Sequence, residues 1–447
     1  MRKAISFILV VTLVMSMLGS VYAAPAAAEP GINWDVRHHF SFYEDMLKGL
    51  AEQYPDIAKT YSIGHSWYER QIWCIELSSK ASNVKNKTGI AVLGNIHGGE
   101  QESGESAAYT AWWLVNNYSN DKEVKKILDN YTICIVPVIN PDGYEQSFVY
   151  NNRSNLRPTD NNKDGKVFSD PYKDTNGDGF IAEVYKGAKD SAEKDRVFIG
   201  MESPDWDKNG KPGDDPKSSG IDLNRTFDYM WNRLDVDTDP QLGANSLARA
   251  GANAASEPEV AAVQNFLITH PVYALVTLHT GIQCVLWPWC YTPEPPADAK
   301  MMEGVAKEMA KAFEDTTGRR MYTKQSYDDY PTNAEMIDWA YGRLGIHAYT
   351  MEVYCGGKPV PNGTIDEVCT WNNELPGDEW IYIGDWNGLK DIWFKNTTRA
   401  QMSGLAPPEQ SLMVEGAKNA ILKMISSEPK GSGPKVPDYL TWENKLK

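Results

Sequence analysis

The sequence predicts an α/β fold in which helices cover both faces of a sheet. Apolar runs at 90–93, 133–139 and 273–278 have the length and composition of buried strands, and each ends at a turn. A helical pattern follows the first run at 103–117, and another precedes the last run at 256–268. Strands that alternate with helices in this way are typical of a sheet with helices packed on both faces.

The remaining elements continue this alternation along the chain. The helix at 256–268 begins at Ser256-Glu-Pro-Glu259, which is a capping-box pattern. Residues 150–220, which are acidic and polar, and residues 355–400, which are rich in aromatic residues, lack periodicity and are predicted to be irregular. The other predicted elements are helices at 41–53, 124–128, 299–313, 334–341 and 409–425 and strands at 61–65, 72–77 and 346–353.

The N-terminus predicts export of the protein. Arg2 and Lys3 precede an apolar run, Ile5–Leu18, and small residues follow, which is the pattern of a signal peptide over residues 1–23. We expect a loose N-terminus at 24–31, one large domain at 32–428 that includes both irregular regions, and a C-terminal tail at 429–447. No other stretch is long enough to span a bilayer, so the mature protein should be extracellular, without a membrane partner.

Charge and cysteine usage exclude several classes of function. The formal net charge is -16, which argues against a nucleic acid or an anionic membrane surface as partner. The six cysteines include no Cys-x-x-Cys pair, so a zinc ribbon has no support. Cys284 with Cys290, and Cys355 with Cys369, are close enough in sequence to form disulfides, and the pairing stays open.

Residues able to bind a metal or transfer a proton lie at the ends of three predicted strands. His97 and Glu100 follow the first strand, His279 ends another, and Glu352 lies near the end of a third. Because ligands bind at the carboxyl ends of strands in open α/β sheets, these side chains are expected to meet. Two histidines and one glutamate, with an open fourth position, form a known catalytic zinc site.

Five motifs in order make the chain resemble the zinc carboxypeptidases (metallocarboxypeptidases), as a secreted, bacterial-type member. The resemblance covers residues 34–354 and the C-terminal helix. It implies a mixed, mostly parallel eight-stranded sheet with helices on both faces and a single catalytic domain. The motifs are His97-x-x-Glu100, Asn140-Pro-Asp-Gly143, Gly220-Ile-Asp-Leu-Asn224-Arg225, Leu278-His279-Thr280 and Tyr349-Thr-Met-Glu352.

The resemblance also implies the roles of individual residues. One zinc ion would be held by His97, Glu100 and His279, and Glu352 would be the general base toward a water that zinc activates. The enzyme would hydrolyse the C-terminal peptide bond of a peptide with a free terminal carboxylate, and we expect it to act as a monomer. The residues expected to hold that carboxylate are Asn224, Arg225 and Tyr330, the last of which lies nine residues before Trp339.

Two positions depart from the family pattern or leave alternatives open. The arginine that polarises the scissile carbonyl is assigned to Arg157, with Arg153 as the second choice, because the flanking residues differ from those of the family. For the terminal residue of the substrate, Ile337 indicates apolar or aromatic side chains, whereas Glu335 would attract Lys or Arg. The balance favours an apolar residue.

The acidic insertion contains three runs that match the first half of a calcium-binding loop. Each run alternates oxygen-bearing side chains and ends at glycine, as such loops do, although none has Glu at the twelfth position. Calcium is therefore predicted as a second metal in addition to zinc. The alternative is that these Asp/Asn-rich runs form turns without a metal. The residues concerned are Asp160, Asn162 and Asp164; Asp174, Asn176 and Asp178; and Asp205, Asp207 and Asn209.

Three other functions remain open. A peptidoglycan peptide hydrolase would use the same zinc site, and an exported protein makes this plausible. An N-acyl amino acid deacylase would share the His-x-x-Glu pair and the later histidine, but the long insertions argue against it. An inactive, calcium-dependent binding protein is the third, and retention of all three ligands together with Glu352 argues against it.

Overall fold

The computed structural model describes residues 31–81, 83, 87–149, 152–158, 160, 162–167, 170, 172–206, 208, 220–232, 250–354, 379–396 and 409–429. The predicted signal peptide, the tail beyond 429 and residues 355–378 lie outside this range. The helices are α1 Phe40–Gln53, α2 Gln101–Asn117, α3 Lys122–Asn130, α4 Pro141–Gln146, α5 Pro258–Thr269, α6 Ala299–Thr317, α7 Met336–Leu344 and α8 Gln410–Ser427. The strands are β1 Ala58–His65, β2 Gln71–Leu77, β3 Thr88–Gly94, β4 Tyr131–Val136, β5 Glu183–Lys186, β6 Val197–Met201, β7 Val272–His279, β8 Gln283–Trp287, β9 Tyr322–Gln325, β10 His347–Val353, β11 Glu379–Trp386 and β12 Leu389–Asn396.

The central sheet has eight strands in the order β1-β2-β4-β3-β7-β10-β8-β9. Its middle strands β4, β3, β7 and β10 run parallel to one another, and β8 and β9 form another parallel pair. Three pairings are antiparallel: β1 with β2, β2 with β4, and β8 with β10. The predicted mixed α/β sheet is therefore confirmed.

Two apolar layers lie on the two faces of this sheet. Successive residues of β3 alternate between them: Ile90 and Val92 pack into one layer, and Ala91 and Leu93 into the other. The first layer also contains apolar residues of α1, α2, α3, α6 and α8, and the second contains those of α5 and α7. Because side chains of a strand alternate between faces, an apolar run such as 90–93 is what a sheet buried on both sides requires.

A second, smaller sheet corrects the prediction that the two insertions are irregular. Strands β11, β12, β5 and β6 form an antiparallel sheet, and Phe394 of β12 lies opposite Val184 of β5. The side chains of Val184, Ile392 and Phe394 are fully buried in its own small core. The pairing joins segments about two hundred residues apart, which local periodicity cannot reveal. Strands β8 and β9 of the main sheet were not predicted either.

Four cysteines are buried, namely Cys74, Cys134, Cys284 and Cys290, and the thiol of Cys290 is free. Cys284 and Cys290 are therefore not paired with each other, contrary to one of the options open from their spacing. The other candidate pair, Cys355 and Cys369, lies outside the described residues. Within the described part of the chain, no helix is both long and apolar enough to cross a membrane.

Candidate active site

The carboxyl ends of three adjacent parallel strands bring the predicted site residues together. Leu278 of β7 lies opposite Gly94, the last residue of β3. His279, the last residue of β7, lies opposite Glu352 of β10. His97 and Glu100 follow β3 on the turn into α2. The strand register therefore places all four side chains at one edge of the sheet, as the sequence predicted.

His97, Glu100 and His279 form the one group of three metal-binding side chains found among the described residues. Their ligand atoms all lie within 4.8 Å of one another. His97 Nδ1 lies 2.8 Å from Glu100 Oε1, and His279 Nδ1 lies 3.0 Å from Glu100 Oε2. The two Nδ1 atoms are only 3.2 Å apart. Convergence of two imidazole nitrogens and a carboxylate, with both histidines buried, fits a zinc ion.

Asp222 supports this group from behind. Its Oδ1 lies 3.1 Å from His97 Nε2, so the ring nitrogen that points away from the metal position is fixed by a buried carboxylate. Burial opposes ionisation of Asp222, but the charges of Arg153 and His97 outweigh it and hold the pKa of Asp222 well below its usual range. No role was predicted for Asp222, although it lies inside the motif that ends at Asn224-Arg225.

Glu100 is also held in its ionised form. Burial disfavours its charge, but the neighbouring rings of His97 and His279 outweigh this effect and lower its pKa. A carboxylate that stays ionised can serve as a metal ligand without first losing a proton.

Glu352 lies beside His97, Glu100 and His279 but does not belong to their cluster. The side chain is partly exposed, yet its Oε2 atom is buried and has no hydrogen-bond partner among the described residues. Burial, together with the charge of Glu100 and against that of His279, raises the pKa of Glu352 to about 8. A carboxyl group placed in this way is available to accept a proton from a water and to return it.

Of the two candidate arginines, Arg153 lies beside the metal-binding group and Arg157 lies away from it. Its Nη1 donates to Glu257 Oε1 at 2.9 Å, and its guanidinium lies 6.0 Å from the ring of Trp67. Arg153 reaches the site instead, with Nη1 3.3 Å from Glu100 Oε1 and Nε 2.7 Å from Asp222 Oδ2. The three residues between the two arginines lead the chain to the start of α5, where Arg157 meets Glu257, and the flanking sequence does not reveal this contact.

The residues predicted to hold a terminal carboxylate form a second group, in which Asn224 and Arg225 are buried and Tyr330 is partly exposed. Arg225 Nη1 donates to Glu335 Oε1 at 3.0 Å, and Arg225 Nη2 donates to the Tyr330 hydroxyl at 3.3 Å. Asn224 Nδ2 lies 3.4 Å from Glu335 Oε2, and Asn224 Oδ1 accepts from Met336 N at 3.0 Å. A guanidinium next to a tyrosine hydroxyl and an amide suits recognition of a carboxylate.

The two residues proposed for terminal-residue selectivity lie in different environments. Ile337 is 1% exposed and packs into the apolar layer formed with α5 and α7. The carboxylate of Glu335 contacts Arg225 and accepts from Thr332 Oγ1 at 2.5 Å. Of the two, Glu335 therefore shares its surroundings with the carboxylate-binding group.

Two of the three calcium-like runs lie among the described residues. Asp160 and Asp174 each accept a hydrogen bond from the glycine five residues later, at 2.8 Å in both cases. Asn162 and Asn176 each accept from the backbone N–H two residues later, at 2.9 Å. Asp164 and Asp178 do the same toward residues 166 and 180. In the third run, Asp205 is described, whereas Asp207 and Asn209 lie outside the described residues.

Comparison with known proteins agrees with this geometry. A family model described as zinc carboxypeptidase matches residues 43–374. Human mast cell carboxypeptidase A is 25% identical over 350 residues, which cover 74% of this chain and 69% of that protein.

Two solved structures show the same fold. Thrombin-activatable fibrinolysis inhibitor has a TM-score of 0.59 at 18% identity, covering 90% of this chain and 76% of that one. Carboxypeptidase A from Helicoverpa armigera has a TM-score of 0.55 at 16% identity, covering 93% of this chain and 81% of that one.

Proposed function

The chain belongs to the zinc carboxypeptidase family and is a metallocarboxypeptidase, and on that premise we propose that it is a secreted enzyme that removes the last residue of peptides with a free terminal carboxylate. The observation that carries the proposal is the proximity of two groups: the ligands His97, Glu100 and His279 beside Glu352, and the anion-binding group around Arg225. The first suits hydrolysis of an amide bond, and the second suits a carboxylate.

Three clustered side chains are proposed to hold the catalytic zinc ion. His97, Glu100 and His279 would hold the zinc ion, with Asp222 fixing the His97 ring. When bound, zinc supplies a Lewis acid that polarises a carbonyl and lowers the pKa of a water. Metal analysis of the purified protein, with loss of activity on chelation and recovery on adding zinc, tests this assignment.

The protein groups supply the proton transfers and the orientation. Arg225, Asn224 and Tyr330 hold the terminal carboxylate, so the last peptide bond lies at a fixed distance from Glu352. Glu352 accepts a proton from the attacking water and later delivers it to the departing amine. Arg153 donates to the carbonyl oxygen as negative charge develops there, which is the role first assigned to Arg157.

The environment of Glu335 supports a preference for a basic terminal residue, contrary to the apolar preference favoured by the sequence. A substrate carboxylate that binds Arg225 would lie close to the carboxylate of Glu335. Two carboxylates at one guanidinium repel each other, and their burial raises the cost. A Lys or Arg side chain on the same terminal residue supplies the second cation and removes that cost.

Secretion, the monomeric state and calcium are further parts of the proposal. The basic, apolar and small-residue regions of 1–23 support export, and mass spectrometry of the mature N-terminus tests it. Sedimentation velocity tests the monomer.

The alternating oxygen-bearing side chains of the runs at Asp160 and Asp174 are the ground for proposing calcium, and their hydrogen bonds to backbone N–H groups match the metal-free turn alternative. Isothermal titration of the zinc-loaded, calcium-depleted protein tests binding. Hydrolysis of peptidoglycan peptides would use the same zinc site, so these peptides are the second substrate class to assay.

A further inference from the structure

Two separate chain segments carry the two arginines of the proposed catalytic site, Arg153 and Arg225, and a buried amide joins these segments. Residues 152–158 carry Arg153, and residues 220–225 carry Asp222, Asn224 and Arg225. Asn155 lies between them and is fully buried. It has no contact with the metal ligands in the described structure, and no step of the reaction above requires it.

Asn155 is bound to the second segment through its backbone and through its side chain. Its N–H donates to Ile221 O at 3.0 Å, and its Oδ1 accepts from Ile221 N at 2.8 Å. Gly220 has a positive φ of 100°, and a Cβ there would lie 1.9 Å from Asn155 O. Any side chain at position 220 would therefore clash with the Asn155 carbonyl, so the close approach of the two segments requires Gly220.

The other end of the same amide is held by two buried carboxyl groups at the start of α5. Asn155 Nδ2 donates to Glu257 Oε2 at 2.9 Å and to Glu259 Oε2 at 3.1 Å. Glu257 and Glu259 are both fully buried, and Glu257 also accepts from Arg157 and from Trp67 Nε1. Helix α5 packs against the main sheet, so these carboxyl groups are rigid points of attachment.

Every hydrogen-bonding position of the Asn155 amide is used by this arrangement. The oxygen accepts from Ile221 N and from Arg157 N, the latter at 3.3 Å, and the nitrogen donates twice. An amide offers two acceptor and two donor positions, so a side chain that lacks either function cannot replace it. Aspartate matches its shape but has no donor and would face two carboxyl groups.

We infer that Asn155 is a positioning residue that sets where Arg153 lies relative to Glu100 and Asp222. The first part of the Arg153 segment is tied to the metal-ligand turn, because Gly98 N donates to Arg153 O at 3.1 Å. Asn155 ties the following part to residues 220–225 and to α5. With both parts held, the Arg153 side chain has one direction in which to reach Glu100 and a substrate carbonyl.

The inference rests on the proposed function, because Arg153 must act on the substrate for its position to matter. A displacement of about 1 Å in a catalytic constellation can reduce the rate about 100-fold. For Asn155→Ala we therefore expect kcat/KM to fall about 10- to 100-fold, mainly in kcat, with bound zinc unchanged. Asn265 is an exposed asparagine on α5, the helix to whose start Asn155 is bound. Asn265→Ala is the matched control and should retain wild-type kinetics.

A double-mutant cycle with Arg153→Ala separates positioning from loss of folding. If Asn155 acts through Arg153, Asn155→Ala should change kcat by less than about threefold once Arg153 is already absent, since the two effects are not additive. An equal loss in both backgrounds, or wild-type kinetics for Asn155→Ala alone, would overturn the inference.

Should the alanine variant fail to fold, Asn155→Asp provides the same comparison, because it keeps the size and the oxygen that accepts from Ile221. A wild-type protein that cleaves no peptide acid would reject the proposed function itself. A wild-type protein that cleaves them while both Asn155 variants keep its rate would reject only the positioning role.

Discussion

Arg225 and Glu335 form a buried ion pair, with Nη1 and Oε1 3.0 Å apart, at the place where a substrate carboxylate is proposed to bind. The side chains are 2% and 9% exposed, so water does little to screen the pair. In the proposed complex, this pair links binding of the terminal carboxylate to the charge of the terminal side chain.

Replacing Glu335 by glutamine should change selectivity more than rate. For substrates ending in Lys or Arg, we expect kcat/KM to fall about 10- to 100-fold, because a charged hydrogen bond is worth about 1.5–3 kcal/mol. Substrates ending in Leu or Phe should be cleaved at an equal or higher rate. A matched series of blocked dipeptides measures both, with the exposed Glu294→Gln as control. A wild-type preference for Leu or Phe would refute the role of Glu335.

Replacing Arg153 and Arg157 by alanine, one at a time, tests which arginine acts on the scissile carbonyl. Arg153→Ala should lower kcat about 100- to 1,000-fold, the usual cost of removing one donor to a developing oxyanion. Arg157→Ala should change kcat by less than tenfold, because its partner is Glu257 rather than a metal ligand. Steady-state kinetics on one peptide acid compares them, and the reverse order of effects would restore the original assignment.

Glu352→Gln should nearly abolish turnover while leaving zinc bound. The substitution keeps the shape but removes the proton acceptor, and loss of a general base costs about 100- to 10,000-fold. Glu352 is not among the three clustered ligand residues, so the metal content should match that of the wild type. Single-turnover kinetics with metal analysis checks both, and near-normal turnover would show that another group is the base.

Glu259→Gln should make stability less dependent on pH. Burial, with the charges of Glu257 and Asp142 adding, raises the pKa of Glu259 to about 8. Between about pH 5 and 7 the folded protein therefore keeps a proton that the unfolded chain has lost, so this group makes stability fall as pH rises. The slope should lessen by about 1.4 kcal/mol per pH unit in the variant.

Urea unfolding at several pH values measures that slope, with the exposed Glu52→Gln as control. Parallel curves for wild type and Glu259→Gln would show that Glu259 is ionised in the folded protein.

The grouping of the proposed metal ligands and the main sheet could be predicted from the sequence because each depends on local signals. His97, Glu100, His279 and Glu352 all lie at or just beyond apolar strands, and parallel strands bring such ends together. The two-faced burial of β3 likewise follows from its unbroken apolar run.

What could not be predicted depends on contacts between distant segments. The partners of Arg153 and Arg157 are Asp222 and Glu257, sixty-nine and one hundred residues away. The small sheet joins β5 to β12 across an even larger gap of about two hundred residues. Neither residue type nor spacing distinguishes such partners, and the burial of Ile337 likewise follows from the packing of α7.

Hydrolysis of N-blocked dipeptides by the zinc-loaded mature protein tests the central claim most directly. Each dipeptide is offered as the free acid and as the C-terminal amide, which differ only in the group that Arg225 is proposed to bind. We predict cleavage of the acids, best for those ending in Lys or Arg, and at least a 100-fold lower kcat/KM for the amides. Equal cleavage of acids and amides, or cleavage of neither with zinc confirmed bound, would contradict a carboxypeptidase that recognises the terminal carboxylate.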